Sequence, residues 1–505
     1  MNYPVLQELP FDGTIYRNGH MNTLEAVMPP GAYTSHHSPA LLELPDGDQL
    51  CAWFAGTYEG NTDVGIVCSR LPFGGEKWTE PQPISHDPER SEQNPSLFLA
   101  PNGEVWAMYT AQLARTEGKD NMQYTSVVRR QKSTDGGKTW SDYDVVFPRE
   151  GTFCRQPIQI LSNGRWIFGN WICTDSENGL AGDPTVFQIS DDEGKTWRTV
   201  EMPGSQGRVH ANVVELEEGH LAAFMRSRDA DRIYRSESLD FGETWSVPKP
   251  TPLPNNNSSI SAVKLRSGRV AIAYNPTCTP CPEPGKAAWP GLRCPVAVAL
   301  SEDGGKTFPL IRHMELGEGF VGAENSTNNR TYEYPYLMQG RDGRLYLAFA
   351  YSTRRSVKWM SFTEEDVAGA KREVIGLYNP TAAKMSSGKA MKNTFTLAHV
   401  GVNTENAEEA LALAELLAGM FNLAPRHGQK SEFAGPYFEC MKGPFHGKNG
   451  HIAMQTPDLE SAVAELKEKG FSFREETAAY DDAGKLKNIY LAGEYGGFAI
   501  HILRG

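Results

Sequence analysis

The chain has 505 residues, 39% hydrophobic and 22% charged, with a formal net charge of -13. Such a mixture is ordinary for a globular protein of two or three domains, and the negative balance argues against nucleic acid or an anionic membrane as partner. Eight cysteines are too sparse for a disulfide scaffold. The opening MNYPVLQELPFDG has neither a basic start nor an apolar run, and no stretch approaches the ~18 apolar residues of a membrane span. The expected location is cytoplasmic.

From Ser38 onward a short apolar strand runs into a Gly-centred turn and out into a second apolar strand, six times. The copies read SPALLELPDGDQLCAWFAG from Ser38, NPSLFLAPNGEVWAMYTA from Asn94, RQPIQILSNGRWIFGNWIC from Arg155, HANVVELEEGHLAAFMRS from His210, ISAVKLRSGRVAIAYNP from Ile260 and YPYLMQGRDGRLYLAFAYS from Tyr334. A hairpin cannot bury its faces alone, so hairpins repeated every ~50 to 60 residues predict stacking around an axis. A second repeat, Ser-x-Asp-x-Gly-x-Thr-aromatic, follows four of them at Ser133 to Trp140, Ser190 to Trp197, Ser238 to Trp245 and Ser301 to Phe308. Ser69 to Trp78 is a worn version without the Asp. In each box Asp bonds backbone amides, Gly takes a positive φ and the aromatic ring packs on the neighbouring blade. Cys278 and Cys281 form one CxxC near Cys294, but no second pair completes a zinc site.

The pattern ends near Asp366. Residues 379–392, small, polar and dotted with lysines, read as a linker between a propeller domain over 1–378 and a smaller domain over 393–505. In that tail TLAHVGVN leads into a helix from about Glu405 to Met420, followed by short strands through Tyr437 to Met441. The order recurs with GHIAMQT, a helix capped by Thr456 and Pro457 and stopped at Gly470, then FSFREE, NIYLAG and GFAIHIL. The predicted fold is mainly β, a six-bladed propeller followed by an α+β domain of two βαβββ modules.

The boxes resemble the Asp boxes of the sialidase superfamily, whose members carry them on the blade periphery, so their carboxylates are expected to be structural. That resemblance implies a site where the inner strands open, with arginines clamping a sugar carboxylate, a Tyr activated by a Glu as nucleophile, and an Asp as general acid/base. Residue by residue, Tyr334 in YPYL matches the nucleophile, and Arg226 and Arg293 match two clamp arginines. Two positions depart: His37 stands where the first clamp arginine is expected, and His210 where the activating Glu is expected. Asp63 is the best match for the acid/base, with Glu59 the stand-in. Imidazole titrates near neutrality, so a His beside Tyr can take its proton. Arg155, Arg228, Arg330, Arg354 and Arg355 are further cations at blade openings. The tail resembles the vicinal-oxygen-chelate (glyoxalase-like) fold, and more closely the C-terminal domain of some 2-keto-3-deoxy-6-phosphogluconate aldolases, through HVGVN at His399, the segment 433–454 and the ending from Tyr490. It implies ligands at His399, Glu439, His451 and His501, a set suited to Zn, Mn, Fe or Ni. By analogy with paired domains of that kind, a homodimer is expected.

Three functions follow. The first is an exo-glycosidase releasing a terminal acidic sugar, sialic acid or a related ulosonic or uronic acid, with no cofactor in the propeller. The second is a uronic-acid lyase using His and Tyr. The third is a carbohydrate-binding propeller without catalysis.

Overall fold

The computed structural model describes residues 9–18, 21–116, 122–174, 180–278, 286–289, 293–315, 332–369, 393–468, 471–495 and 497–505. The linker assigned to 379–392, together with Gly470, Cys281 and Arg330, lies outside them. Internal contacts divide the chain into Met1–Arg372 and Glu373–Gly505.

The first unit is a six-bladed propeller, as the hairpin count predicts. Each blade is an antiparallel sheet, and the first two strands of each are one of the predicted hairpins. Blade 1 opens with Ser35–Glu43, blade 2 with Arg90–Leu99, blade 4 with Arg208–Glu217, blade 5 with Ser261–Lys264 and blade 6 with Glu333–Gln339. In blade 3 the inner edge is broken into Thr152–Cys154 and Gln159–Ile160, both paired to Trp166–Ile172. Second strands such as Gln49–Gly56 are buried throughout, as strands covered on both faces must be, and the apolar run rather than alternation is their signature. The core lies between blades: Leu50, Phe54 and Ile66 of blade 1 pack with Leu97, Val105 and Tyr109 of blade 2.

Ring closure was not visible in the hairpin pattern. Blade 6 takes its outer strands, Thr23–Val27 and Tyr16–Asn18, from the start of the chain. Thr23–Val27 pairs antiparallel with Ser356–Phe362, Val27 opposite Lys358. Lys358 is buried there between Glu25 at 2.7 Å and Glu315 at 2.5 Å.

The Asp boxes are peripheral and closed on themselves. Asp135 accepts the Lys138 and Thr139 amides through Oδ1, each at 2.9 Å, and the Thr139 hydroxyl through Oδ2 at 2.6 Å. Asp192, Asp240 and Asp303 repeat the Thr contacts. Hydrogen bonds from the hydroxyl and then the amide of Thr196 pull the Asp192 carboxyl down to about 2. The box glycine seats each loop on the preceding blade: Gly305 has φ +84°, and a Cβ there would lie 2.2 Å from the Phe224 ring of blade 4. Trp245 completes the contact by stacking on Phe187 of blade 3 at 4.3 Å.

The second unit is one eight-stranded sheet with helices Ala407–Phe421 and Leu459–Glu468, and its two halves follow the predicted βαβββ order. Asn406 caps the first helix, accepting the Glu408 and Glu409 amides. The second cap differs from the expectation. Thr456 ends the strand Gly450–Thr456, and Asp458 accepts the Ser461 amide at 3.1 Å. Thr456 is still part of the strand and Pro457 makes the bend, so it is Asp458, next to the helix, whose carboxylate reaches the free amide. Among the described residues no helix is long and apolar enough to cross a membrane.

Candidate active site

Four inner strands share one distortion. The register slips between His37 and Ala40, Gln93 and Ser96, Val209 and Asn212, and Glu333 and Tyr336. Inside these bulges Ser38, Asn94, His210 and Tyr334 all have positive φ, between 51° and 59°. Non-glycine residues in that region cost about 1–3 kcal/mol each and persist where the surroundings hold them, commonly at functional sites. A bulge re-aims side chains at the end of a sheet, and here it delivers Asn94, His210 and Tyr334 to a cavity of about 170 Å³.

Tyr334, His210, Arg228, Arg293, Arg354 and Glu59 line that cavity, with Gln93, Asn94, Gln123, Phe153, Trp171 and Trp289. Arg226 donates to Tyr334 Oη at 2.6 Å and, through Nε and Nη2, to Asn257 Oδ1 at 2.9 and 2.6 Å. Glu333 is the hub of the opposite side. Its Oε2 lies 2.7 Å from Arg354 Nη2, 3.1 Å from Arg293 Nη1 and 3.0 Å from His37 Nδ1. Burial pushes the Glu333 carboxyl up, but Arg354 and Arg293 outweigh it and hold the group below the usual carboxylate range. Burial, reinforced by Arg354 and Arg293, drives His37 well below the ordinary imidazole value, and burial with Arg226 and Arg228 does the same to His210. Both imidazoles are therefore neutral despite the carboxylate beside His37. His37 packs on the Tyr334 ring at 4.1 Å, and His210 meets it edge-on at 5.4 Å with Nδ1 3.0 Å from Ser259 Oγ.

The structure thus brings together Tyr334, His210, His37, Arg226, Arg293 and Arg354. It does not bring Asp63 or Arg155 to the cavity. Asp63 holds the Thr57 amide and hydroxyl at 2.9 and 3.0 Å in an exposed turn, while Glu59 of the same turn faces the cavity and pairs with Arg354 at 2.5 Å. Arg155 is fully buried behind Tyr334. Sequence reasoning missed Glu333 and Asn257. Glu333 is the residue before the matched Tyr, and Asn257 belongs to a run, NNNSS, that is buried from end to end; a five-residue polar run between apolar strands was the available signal. A larger groove of about 520 Å³ between blades 6 and 1, beside the worn box and lined by Phe73, Tyr346 and Trp359, gathers no comparable ring of cations.

In the second unit the four predicted ligand positions converge. His399 Nε2 and His451 Nε2 are 3.2 Å apart and lie 3.1 and 3.3 Å from Glu439 Oε2. One ring nitrogen each of His399, His451 and His501 falls within 4.8 Å of the others. Ser431 donates to Glu439 Oε1 at 2.6 Å, and Asn488 Oδ1 lies 2.5 Å from His501 Nδ1, leaving the buried Nε2 without a partner. Gly401 makes room for this arrangement: a Cβ there would sit 2.0 Å from the His451 ring.

Residues 47–347, more than half of the chain, match the family model for a BNR repeat-like domain. The sialidase of Micromonospora viridifaciens is 29% identical over 344 residues, covering 60% of this chain and 50% of the relative. The anhydrosialidase of Macrobdella decora is 31% identical over 136 residues, covering 25% of this chain and 17% of the relative. The chain therefore spans half or less of the length of these relatives. Among solved structures, a Hadza microbial sialidase superposes with a TM-score of 0.53 at 15% identity over 66% of each chain, a likeness of fold.

Proposed function

The chain belongs to the BNR repeat-like domain family, and from that premise we propose that its propeller is an exo-acting glycoside hydrolase of the sialidase kind, releasing a terminal acidic sugar. The observation that carries this reading is a Tyr hydroxyl bonded to a buried guanidinium inside a small cavity ringed by further guanidiniums. About 170 Å³ lies below the ~300 Å³ at which drug-sized sites begin, and so suits one sugar ring rather than a polymer segment. Arg293 and Arg354 bind the carboxylate, trading part of their contact with Glu333 for it. Tyr334 Oη attacks the anomeric carbon as His210 takes its proton, and Glu59 protonates the departing oxygen; water then cleaves the tyrosyl–sugar bond. Asp63 can serve in place of Glu59 only if its turn opens.

A second reading, uronic-acid lyase, is favoured by one observation: the proton acceptors against Tyr334 are two neutral imidazoles rather than a carboxylate. The arginines then acidify the C–H beside the carboxylate, and His210 and Tyr334 divide the base and acid roles. Incubation with 4-methylumbelliferyl N-acetylneuraminide, the corresponding glucuronide and a uronate oligosaccharide separates the readings. Hydrolysis releases fluorophore and a saturated sugar acid, whereas elimination gives a product absorbing in the ultraviolet. Silence across the panel with sugar-acid binding intact leaves the binding-only propeller.

For the second unit we propose a glyoxalase-like domain holding one divalent metal on His399, His451, His501 and Glu439. The unpartnered His501 Nε2 and the oriented Glu439 support the fit, and the metal would supply a Lewis-acid centre for an oxygen ligand. Elemental analysis of protein purified without chelator tests it; no stoichiometric metal sinks the proposal.

A further inference from the structure

Arg155 lies at the start of the third hairpin, 0% exposed. The other arginines beside the cavity all have side-chain partners, although Arg226, like Arg155, has no carboxylate among the described residues. Arg228 faces Asp183 at 3.0 Å, Arg293 and Arg354 share Glu333, and Arg226 is held by Asn257 and Tyr334. Arg155 has no carboxylate at ion-pair distance among the described residues. Its Nη2 donates to two backbone carbonyls, Pro39 at 2.9 Å and Tyr334 at 3.1 Å, while Nε and Nη1 are buried without partners. Its titratable neighbours are Tyr336, Tyr334, Cys154 and Cys51, none of them a carboxylate. A guanidinium does not escape by losing its proton, so the fold carries an unmatched buried charge, which is costly.

Its location gives that cost a purpose. The two carbonyls belong to bulges of blades 6 and 1, at Tyr334 with φ 54° and at Pro39 next to Ser38 with φ 59°. From blade 3 the side chain thus ties two strained backbones together across the axis, with its guanidinium carbon 5.8 Å from the Tyr334 ring. Arg226 and Arg293 stand 5.4 and 5.6 Å from the same ring, and His37 and His210 cover it. We infer that Arg155 is a positioning residue for Tyr334: it fixes the left-handed backbone that aims the phenol, and it supplies a buried positive charge matched only while Tyr334 Oη carries negative charge in turnover. In that step the hydroxyl proton passes to the neutral His210, and the oxygen's electron pair goes into the new bond to substrate. The second half of the inference rests on the proposed chemistry, and the first half does not.

The test uses the full chain with Arg155→Met, which keeps length and removes charge, and Arg155→Lys, which keeps charge. The Met variant should melt within about 5 °C of the wild type, because relief of the unmatched charge offsets the loss of the donor to the Pro39 and Tyr334 carbonyls. Its crystal structure should show Tyr334 Oη beyond hydrogen-bond distance of Arg226. With 4-methylumbelliferyl N-acetylneuraminide its kcat should fall about 100-fold while KM stays within about 3-fold, and Lys should recover turnover to within about 10-fold of wild type. A Met variant that fails to fold, or melts more than about 5 °C lower, makes Arg155 a structural brace and overturns the inference. Tyr334 unmoved against Arg226, or unchanged turnover, overturns it as well. If wild type does not turn over the probe, the glycosidase reading fails separately, and the melting and crystallographic arms still decide whether Arg155 positions Tyr334.

Discussion

The periphery and the axis of the propeller are built from the same repeat and treat polar groups in opposite ways. At the periphery each box carboxylate is saturated by its own loop within five residues, and the same bonds recur in four blades. At the axis the residues differ from blade to blade, the backbone is strained in four of them, and side chains from distant hairpins are needed to satisfy one another. Repetition marks what holds the ring together. Departure from repetition marks where chemistry has been placed, at a cost in local stability.

This contrast can be broken in several ways, the largest first. Tyr334→Phe should lower turnover of any substrate at least about 10³-fold, whereas Asp135→Asn should leave it within about 2-fold; equal effects in a rate assay would erase the distinction. Glu333→Ala strands the buried Arg293 guanidinium and leaves Arg354 with Glu59 alone, and should destabilise the unit by about 3 kcal/mol in denaturant unfolding. A loss below about 1 kcal/mol would show that the hub does not hold the axis together. Arg293→Met removes one charge-assisted carboxylate contact, and should raise KM or the sugar-acid Kd about 10-fold or more.

Acid should separate the two regions in order. His36, pulled down to about 4 by burial, and His37 and His210, held well below the ordinary imidazole value by burial and neighbouring arginines, are neutral in the fold but protonate near 6.5 when unfolded. The unfolded chain then binds more protons, so this stability is complete above about pH 6.5 and drains as pH falls toward 4. The box carboxylates protonate near 3.9 unfolded and about 2 folded at Asp192, so their contribution survives to about pH 4 and is lost below it. Melting temperatures from pH 7 to 3 should therefore already decline between 6.5 and 4.5, and a flat profile there would sink the assignment. The smallest effect is Asp192→Asn at pH 7, a fall of about 1–2 °C in Tm.

The hairpins and boxes were legible because both are local, a few residues of strand, turn and hydroxyl–carboxylate spacing. Tyr334, Arg226 and Arg293 could be placed because they flank those hairpins in fixed order. Glu333 was not legible: its role depends on a one-residue slip in blade 6 that turns it toward His37 and two arginines from elsewhere in the chain. Asp63 and Glu59 share one turn, and only the fold shows which carboxylate the Thr57 amide and hydroxyl have already taken. The cap at Asp458 was misread for a simpler reason, since Thr-Pro offers the same signal two residues earlier.

The closure of blade 6 has a temporal meaning. Thr23–Val27 leaves the ribosome more than three hundred residues before its partner Ser356–Phe362. The intervening five blades must accumulate with an unpaired strand at each end of the arc, and Glu333 and Arg354 reach the cavity only with the last blade. Until Lys358 docks beside Glu25 the nascent chain holds an open arc without its carboxylate hub, so a half-made propeller exposes no working site to sugars around it.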